Sequence, residues 1–200
     1  ENPKGQLLKA DELGDEGVED INLAATTIQK RSAGLLDFVE DYRSLSNLPK
    51  PQLKRVNVKE FLLNIERLMK PVLDEKHIEL NIGIVPLKAE LLIDAKQIEQ
   101  VFINLIGNSI FALEHTKEPY ININYQILET HTVLSVADNG RGIQSDIISQ
   151  IFIPFFTTRK DGSGIGLSLS KDIMKQHKGQ LLVNSEPGIK TTFSLVFFNG

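Results

Sequence analysis

The pattern of hydrophobic and polar positions first predicts a long helix over residues 18–48. A helix of about 30 residues is some 45 Å long, too long for one small domain to cover. The pattern therefore favours packing against a partner helix, and a helix folded back on its own domain is the alternative. Apolar and small residues recur at alternating steps of four and three, as in a helical seam: Ile21, Ala25, Ile28, Ser32, Leu35, Val39 and Tyr42.

Polar composition and prolines set the other boundaries of this region. Residues 1–17 are rich in Gly, Asp, Glu and Lys and have no hydrophobic period, which predicts an exposed loop. Pro49 and Pro51 end the long helix, because proline lacks a backbone donor and restricts the residue before it. Residues 49–53 are therefore predicted to link the helix to a second domain over residues 54–200.

The rest of the chain carries helical and strand patterns in mixed order, which predicts an α+β domain built as one pair of layers. The predicted helices cover 58–73, 94–115 and 165–177, and the predicted strands cover 78–84, 120–128, 132–137, 180–185 and 191–198, the last two as a hairpin.

Composition then narrows the function classes. The 200 residues are 41% hydrophobic and 24% charged, which is ordinary for a globular protein. With 22 Lys and Arg against 26 Asp and Glu, the net charge of -4 supplies no basic field for bulk nucleic-acid binding. The chain has no cysteine, so it has no disulfide and no cysteine-based zinc site. This fits a reducing compartment, and a cytoplasmic location is expected.

Two further features concern the membrane and the start of the chain. No stretch reaches the roughly 18 uninterrupted apolar residues of a membrane span, so no membrane contact is expected within this chain. Glu1 begins a polar run without an initiator Met or a signal peptide. This predicts a piece of a longer protein, with any anchor or sensor upstream.

Candidate chemistry begins with two asparagines on the predicted second helix. Asn104 and Asn108 lie four residues apart, so both amides project from one helical face among apolar neighbours. Unpaired amides in such a setting cost a few kcal/mol. Taken alone, such a pair is more often satisfied by local hydrogen bonds or water.

Two glycine-rich turns follow. Asp138 ends a predicted strand and precedes Gly140 and Gly142, so a carboxylate and an unhindered backbone can face a flat ring, although a plain turn has the same pattern. Residues 161–167 open a helix with three glycines, where backbone N–H groups and the positive helix end can receive a phosphate. A lone glycine-rich turn before a helix is weak evidence.

Together, in this order and spacing, the three clusters resemble the N, G1 and G2 boxes of the ATP-binding fold shared by histidine kinases, gyrase-type ATPases and heat-shock chaperone ATPases. Residues 151–160 resemble the F box and mobile lid of sensor histidine kinases. The resemblance covers residues 54–198. In addition, the long helix predicted over residues 18–48 resembles the second helix of that family's dimerisation and phosphoacceptor hairpin. It implies the Bergerat-type fold, a two-layer sandwich with a mixed, mostly antiparallel sheet covered by helices on one face.

The resemblance also implies roles for single residues. Asp138 matches the carboxylate that binds the adenine amino group, Asn108 matches the Mg²⁺ ligand, and Asn104 matches a supporting position beside that ion. Arg159 and Lys160 on the lid match cations for the terminal phosphates. The phosphate cradle, the adenine surroundings and the lid add the remaining ATP-binding positions: Ala112, Gly140, Gly142, Ile143, Thr157, Thr158, Gly162, Ser163, Gly164, Ile165, Gly166, Leu167 and Thr192. Phe152, Phe155 and Phe156 are expected to anchor the lid by packing.

Position 104 favours phosphoryl transfer over hydrolysis. Hydrolytic relatives carry a glutamate there that activates water, and an asparagine cannot take a proton near neutral pH. The family phosphorylates a histidine followed by an acidic residue, and His77, His115, His131 and His177 lack that neighbour. All four are expected to be structural or exposed, with the acceptor on a first hairpin helix outside this chain.

The expected function is therefore the ATP-binding catalytic region of a two-component sensor histidine kinase. It would transfer the γ-phosphoryl group of Mg-ATP for relay to a response regulator and dimerise in the full-length protein. Phe111 departs from the family pattern, because many members carry a basic residue at this position that contacts phosphate. Either Arg159 and Lys160 take over that phosphate contact, or nucleotide affinity is weaker. A dimeric ATP-hydrolysing clamp and a nucleotide-fold interaction module without kinase activity are the alternatives.

Overall fold

The computed structural model describes residues 17–29, 32, 48–159 and 162–198. The chain divides into two compact units, residues 1–42 and 43–200. In the first unit residues 17–29 are helical (α1), and Ile21 and Ile28 expose 54% and 66% of their surface. The predicted long helix is confirmed over this stretch, while most of its remainder and the predicted loop before residue 17 lie outside the described residues. Packing against a partner helix stays a prediction.

The second unit contains the helices and strands that the sequence patterns predict. All three predicted helices and all five predicted strands are confirmed within a few residues of their predicted ends. Two short strands, β1 and β3, were not predicted. The elements are β1 (Lys54–Asn57), α2 (Val58–Glu75), β2 (Glu79–Ile82), β3 (Glu90–Ile93), α3 (Ala95–Ala112), β4 (Tyr120–Ile127), β5 (His131–Asp138), α4 (Gly166–Gln176), β6 (Gln180–Glu186) and β7 (Lys190–Phe198).

The main sheet has five strands in the order β2-β4-β5-β7-β6. Only β2 and β4 run parallel, and the other three pairs are antiparallel. Strands β1 and β3 form a separate antiparallel pair. This confirms the predicted α+β class with a mixed, mostly antiparallel sheet.

The core lies between the helices and one face of this sheet. Along β5 every second residue is buried, from Thr132 to Asp138, as expected when one face of a strand is covered. Phe102 of α3 is fully buried and meets Phe61 of α2 edge to face, with ring centroids 5.7 Å apart. Burying a side chain of this size stabilises the fold by about 1.5–3 kcal/mol. None of the helices that the structure describes is long and apolar enough to cross a membrane.

Asp94 fixes the start of α3 and ties the predicted linker to it. Its carboxylate caps the helix by accepting from the backbone N–H groups of Lys96 and Gln97, at 3.1 and 3.3 Å. It also accepts from Gln52 N at 2.8 Å, and Gln97 Nε2 donates to Pro49 O at 2.8 Å. The segment predicted as a linker is therefore hydrogen-bonded to the domain.

His177 completes this corner of the domain. Its Nε2 accepts from Asp94 N at 3.0 Å, and its Nδ1 lies 2.8 Å from Ile173 O. This histidine therefore has a structural role, as expected from the sequence. Partial burial alone would raise the pKa of Asp94, but hydrogen bonds from the backbone N–H groups of Gln52, Gln97 and Lys96 outweigh it and lower the pKa.

Replacing Asp94 should destabilise the domain in a pH-dependent way. Asp94→Ala removes the cap, and we expect the free energy of unfolding at neutral pH to fall by about 1–2 kcal/mol. Asp94→Asn keeps a capping oxygen and should lose less. Because the folded pKa lies below the unfolded value of about 4, the stabilisation is present above that value and is lost as the pH falls through the folded pKa. Urea unfolding at neutral and acidic pH checks this, and an Asp94→Ala loss that does not shrink in acid contradicts it.

Candidate nucleotide-binding site

The site is built around Asp138, which ends β5 on the covered face of the sheet. This side chain is 3% exposed. Its Oδ2 accepts a hydrogen bond from Ser109 Oγ of α3 at 2.9 Å, and its Oδ1 accepts from Gly140 N at 3.0 Å. Burial raises the pKa of Asp138, and the two hydrogen bonds act in the opposite direction. Among the described residues, Asp138 is thus the one buried carboxylate.

Two hydroxyl groups continue a polar row across the sheet from Asp138. Thr191 of β7 pairs directly with Asp138 and is 2% exposed. Ser185 of β6 pairs with Thr191, and their hydroxyl oxygens are 2.9 Å apart. Ser185 Oγ also accepts from Ile143 N at 2.8 Å, so it fixes the loop after β5.

The register of β7 corrects the prediction for Thr192. Thr192 pairs with Ala137, so its side chain lies on the opposite face of the sheet from Asp138. Thr191, one residue earlier, lies on the same face as Asp138 and takes its place in the candidate site. Every second residue of a strand lies on the same face. Counting back in twos from the buried Leu195 and Phe193 leads to Thr191, so the alternation along β7 already indicates which threonine faces the core.

The two asparagines of α3 have different surroundings. Asn104 Nδ2 donates to Gly166 O at 3.1 Å and to Ser170 Oγ at 3.2 Å, so this amide joins α3 to the start of α4. Asn108, one turn later, is half-buried, and its side-chain amide makes no hydrogen bond to any other described residue. Asn104 is thus engaged by protein, whereas the Asn108 amide is available to a ligand.

The glycines after β5 are required by contacts within the protein. A Cβ at Gly140 would lie 2.6 Å from Ala112 O at the end of α3, and Arg141 N donates to that oxygen at 3.1 Å. Gly142 has a φ of 68°, and a Cβ there would overlap the Glu186 carbonyl. The sequence pattern suggested a close approach to a ligand ring; in the structure these glycines permit close approach to protein backbone.

The loop before α4 is closed at its base. Phe155 N donates to Gly164 O at 3.0 Å, and Gly164 has a φ of 70°. A Cβ at Gly164 would lie 2.6 Å from the Phe155 carbonyl carbon, so this position requires glycine. Thr157 Oγ1 accepts from Arg159 N at 3.0 Å inside the loop. Lys160, predicted as a second lid cation, lies outside the described residues.

Packing of the aromatic residues around this loop follows the prediction in part. Phe152 and Phe156 are half-buried and pack against the core, whereas Phe155 is 45% exposed. Ile165 is fully buried and belongs to the hydrophobic core. No side chain caps α4, which begins at Gly166. The residues predicted as the phosphate cradle lie in this loop and at the start of α4, and their role in binding stays a prediction: Thr158, Gly162, Ser163, Gly164, Ile165, Gly166 and Leu167.

Comparison with known proteins agrees with this geometry. Residues 93–199 match the family described as histidine kinase-, DNA gyrase B-, and HSP90-like ATPases. The chain belongs to this family. The predicted resemblance to this family is thereby confirmed.

The individual relatives that the chain resembles are sensor histidine kinases. It is 31% identical over 95% of its length to the autoinducer 2 sensor kinase/phosphatase LuxQ of Vibrio cholerae, and it covers 23% of that protein. The solved catalytic domain of histidine kinase ThkA is 26% identical, covers 74% of this chain and 95% of its own, and superposes with a TM-score of 0.65. A structure of ThkA in complex with response regulator protein TrrA, 20% identical, has the same fold with a TM-score of 0.68 over 98% of this chain and 54% of that one.

These likenesses identify the second unit as an ATP-binding catalytic domain of the sensor histidine kinase type. The chain spans about a quarter of the length of curated relatives such as LuxQ.

The buried carboxylate should carry a stability cost that depends on pH. Asp138→Asn keeps the size and one acceptor, and we expect a free energy of unfolding at neutral pH that is unchanged or higher by up to about 1 kcal/mol. Because the folded pKa of Asp138 lies above the unfolded value, the cost is present above the folded pKa and vanishes below about pH 4. Any advantage of the variant should therefore shrink in acid.

Ser109→Ala is the opposite test, because it removes a donor that favours the ionised carboxylate. It should destabilise the domain more at neutral than at acidic pH. Urea unfolding of both variants at two pH values measures this, and a large loss for Asp138→Asn at neutral pH contradicts the prediction.

Proposed function

We propose that this chain binds Mg-ATP between α3, the end of β5 and the loop before α4, and transfers the γ-phosphoryl group to a histidine on a separate dimerisation helix. The observation that carries the proposal is the buried Asp138 carboxylate, with Ser109 and Gly140 as donors. Beside Ser109 on α3 lies the Asn108 amide, which has no partner among the described residues. Residues 54–200 would form the catalytic domain, residues 18–48 the second hairpin helix, and residues 49–53 the connection between them.

Adenine recognition is assigned to Asp138. A carboxylate accepts from the adenine amino group, whereas guanine carries a carbonyl at that place, so ATP is favoured over GTP. Burial makes this hydrogen bond selective, because a mismatched polar group would stay unpaired away from water. Thr191 is paired with Asp138 on the neighbouring strand and lies on the same face of the sheet, so we assign it to this end of the site. The loop residues beside it, Ala112, Gly140, Gly142 and Ile143, complete the surroundings of the base.

Metal and phosphate binding are assigned to the other end of the site. Within the described ranges no three His, Asp or Glu side chains come together as a metal site. Mg²⁺ bound to a nucleotide takes most of its ligands from phosphates and water, so the single neutral oxygen of Asn108 fits it. When bound, the ion neutralises phosphate charge. The backbone of residues 162–167 and the side chains of Thr157, Thr158, Arg159 and Lys160 are assigned to the phosphates.

The surroundings of Asn104 favour transfer over hydrolysis. Its amide donates to Gly166 O and Ser170 Oγ, so it stabilises the start of α4 and holds no group that accepts a proton from water. We therefore assign Asn104 a positioning role beside the phosphate cradle. A dimeric ATP-hydrolysing clamp, which needs a base to activate water, is disfavoured by this contact.

The partners follow from the proposed reaction. Phosphohistidine in a two-component system is passed on to a response regulator, and the ThkA structure with TrrA is a complex of that kind. The exposed apolar side chains of α1 fit a partner helix, as expected for a homodimer of the full-length protein. The reaction uses ATP and passes the phosphate on to a response regulator inside the cell. We therefore propose that this domain works in the cytoplasm.

Two isosteric variants test the adenine end of the site. Thr191→Val removes the hydroxyl on the Asp138 face, whereas Thr192→Val makes the same change on the opposite face. We expect Thr191→Val to weaken ATP binding roughly threefold to tenfold, the usual value of one hydrogen bond, and Thr192→Val to leave it unchanged. Isothermal titration calorimetry measures both. The reverse order of effects would remove Thr191 from the site.

Phosphotransfer is tested in trans. The chain is mixed with Mg-ATP, labelled on the γ-phosphate, and a separate peptide that carries the first hairpin helix with its histidine and following acidic residue. We expect acid-labile, base-stable phosphate on the peptide, and its loss in the Asn108→Ala variant, which removes the metal ligand. Steady phosphate release without peptide would favour the hydrolytic clamp. Absence of nucleotide binding would favour an interaction module.

A further inference from the structure

Phe111 brings together two arginines from different loops. It lies three residues after Asn108 on α3, so both side chains are on one face of the helix. The guanidinium carbon of Arg141, in the loop after β5, is 4.3 Å from the centroid of the Phe111 ring. That of Arg159, in the loop before α4, is 4.8 Å from the same centroid. One aromatic ring therefore joins α3 to both loops of the candidate site.

The two guanidinium groups have no counter-charge in the part of the chain that the structure describes. The ion pairs found there involve other residues: Arg55 with Glu90, Lys70 with Asp74 and Lys190 with Glu186. Arg141 and Arg159 are exposed, and both lie within about 5 Å of one ring centroid. Contact with an aromatic face stabilises each positive charge only in part, and the N–H donors of both groups remain to be satisfied. An anion with several oxygens, bound beside the Phe111 ring, could contact both groups.

We propose that Arg141 and Arg159 form a two-guanidinium site for the polyphosphate end of the nucleotide, and that Phe111 is the positioning residue that holds them there. The inference rests on the proposed function, because it takes Asn108 on the same helix face as the metal ligand. Planar guanidinium groups bind phosphate oxygens through two donors at once, which suits a triphosphate chain with several non-bridging oxygens.

This assignment changes how Phe111 is interpreted. The family resemblance implies a basic residue at this position of α3. With Phe111 there, the phosphate contact is left to Arg159 and Lys160, or weaker nucleotide binding is expected. In the structure the Phe111 ring also contacts Arg141, a cation from the loop after β5. Arg141 was not a predicted site residue, because nothing in the sequence places residue 141 beside residue 111.

The experiment separates the phosphate end from the adenine end. Binding of Mg-ATP and of inorganic tripolyphosphate is measured by calorimetry for Arg141→Gln, Arg159→Gln, Phe111→Leu and Phe111→Tyr. Arg55→Gln is the matched control, since it removes one positive charge from an exposed site in the two-stranded sheet. Asp138→Asn is the adenine-end reference. Circular dichroism confirms that each variant is folded.

We expect each arginine variant to weaken both ligands roughly tenfold, because each loses a charge-assisted contact. Phe111→Leu should weaken both about fivefold, and Phe111→Tyr should restore binding, since it keeps the aromatic face. The arginine effects should shrink at high salt. Arg55→Gln should change neither ligand, and Asp138→Asn should weaken ATP but not tripolyphosphate.

Failure of the inference differs from failure of the proposed function. If the wild type binds ATP while the arginine and Phe111→Leu variants bind tripolyphosphate as the wild type does, the two-guanidinium site is wrong and the proposed function stands. If the wild type binds tripolyphosphate through these residues but does not bind ATP, the anion site stands and the proposed function fails. If Phe111→Tyr binds as weakly as Phe111→Leu, the positioning role of the ring is wrong.

Discussion

The candidate site depends on one buried hydrogen bond, in which Ser109 of α3 donates to the Asp138 carboxylate at the end of β5. A carboxylate at this depth is costly, and neither of its recorded hydrogen-bond donors carries a positive charge. The hydroxyl and the Gly140 N–H are therefore its main stabilising partners. Because Ser109 belongs to a helix and Asp138 to a strand, the bond also fixes how α3 lies on the sheet.

Helix α3 joins the separate parts of the site. Asn104 binds the start of α4, Ser109 binds Asp138, and Phe111 contacts both Arg141 and Arg159. These contacts arise within about two turns, so they share one rigid segment of backbone. A change in the rotation of α3 would disturb all of them together. The helix thus links the proposed adenine end of the site to its proposed phosphate end.

The loops of the site are held to this scaffold by close backbone contacts. Gly140 passes against the end of α3, Gly142 against the turn after β6, and Gly164 against Phe155. A larger residue at any of the three would displace the loop that carries it. The glycine-rich pattern that suggests nucleotide binding is therefore also a packing requirement. The same residues position the backbone groups that we assign to the nucleotide.

The sequence by itself determined the helices, the strands of the main sheet and the clusters of polar residues, because helical and strand periods are local patterns. It did not reveal β1 and β3, which are four residues each and too short for a clear period. The choice between Thr191 and Thr192 needed the strand register, since a shift of one residue reverses the face. Ser109 with Asp138, and Phe111 with Arg141 and Arg159, join positions 29 to 48 residues apart. Only the tertiary structure decided these contacts, because no local pattern records which side chains meet across the fold.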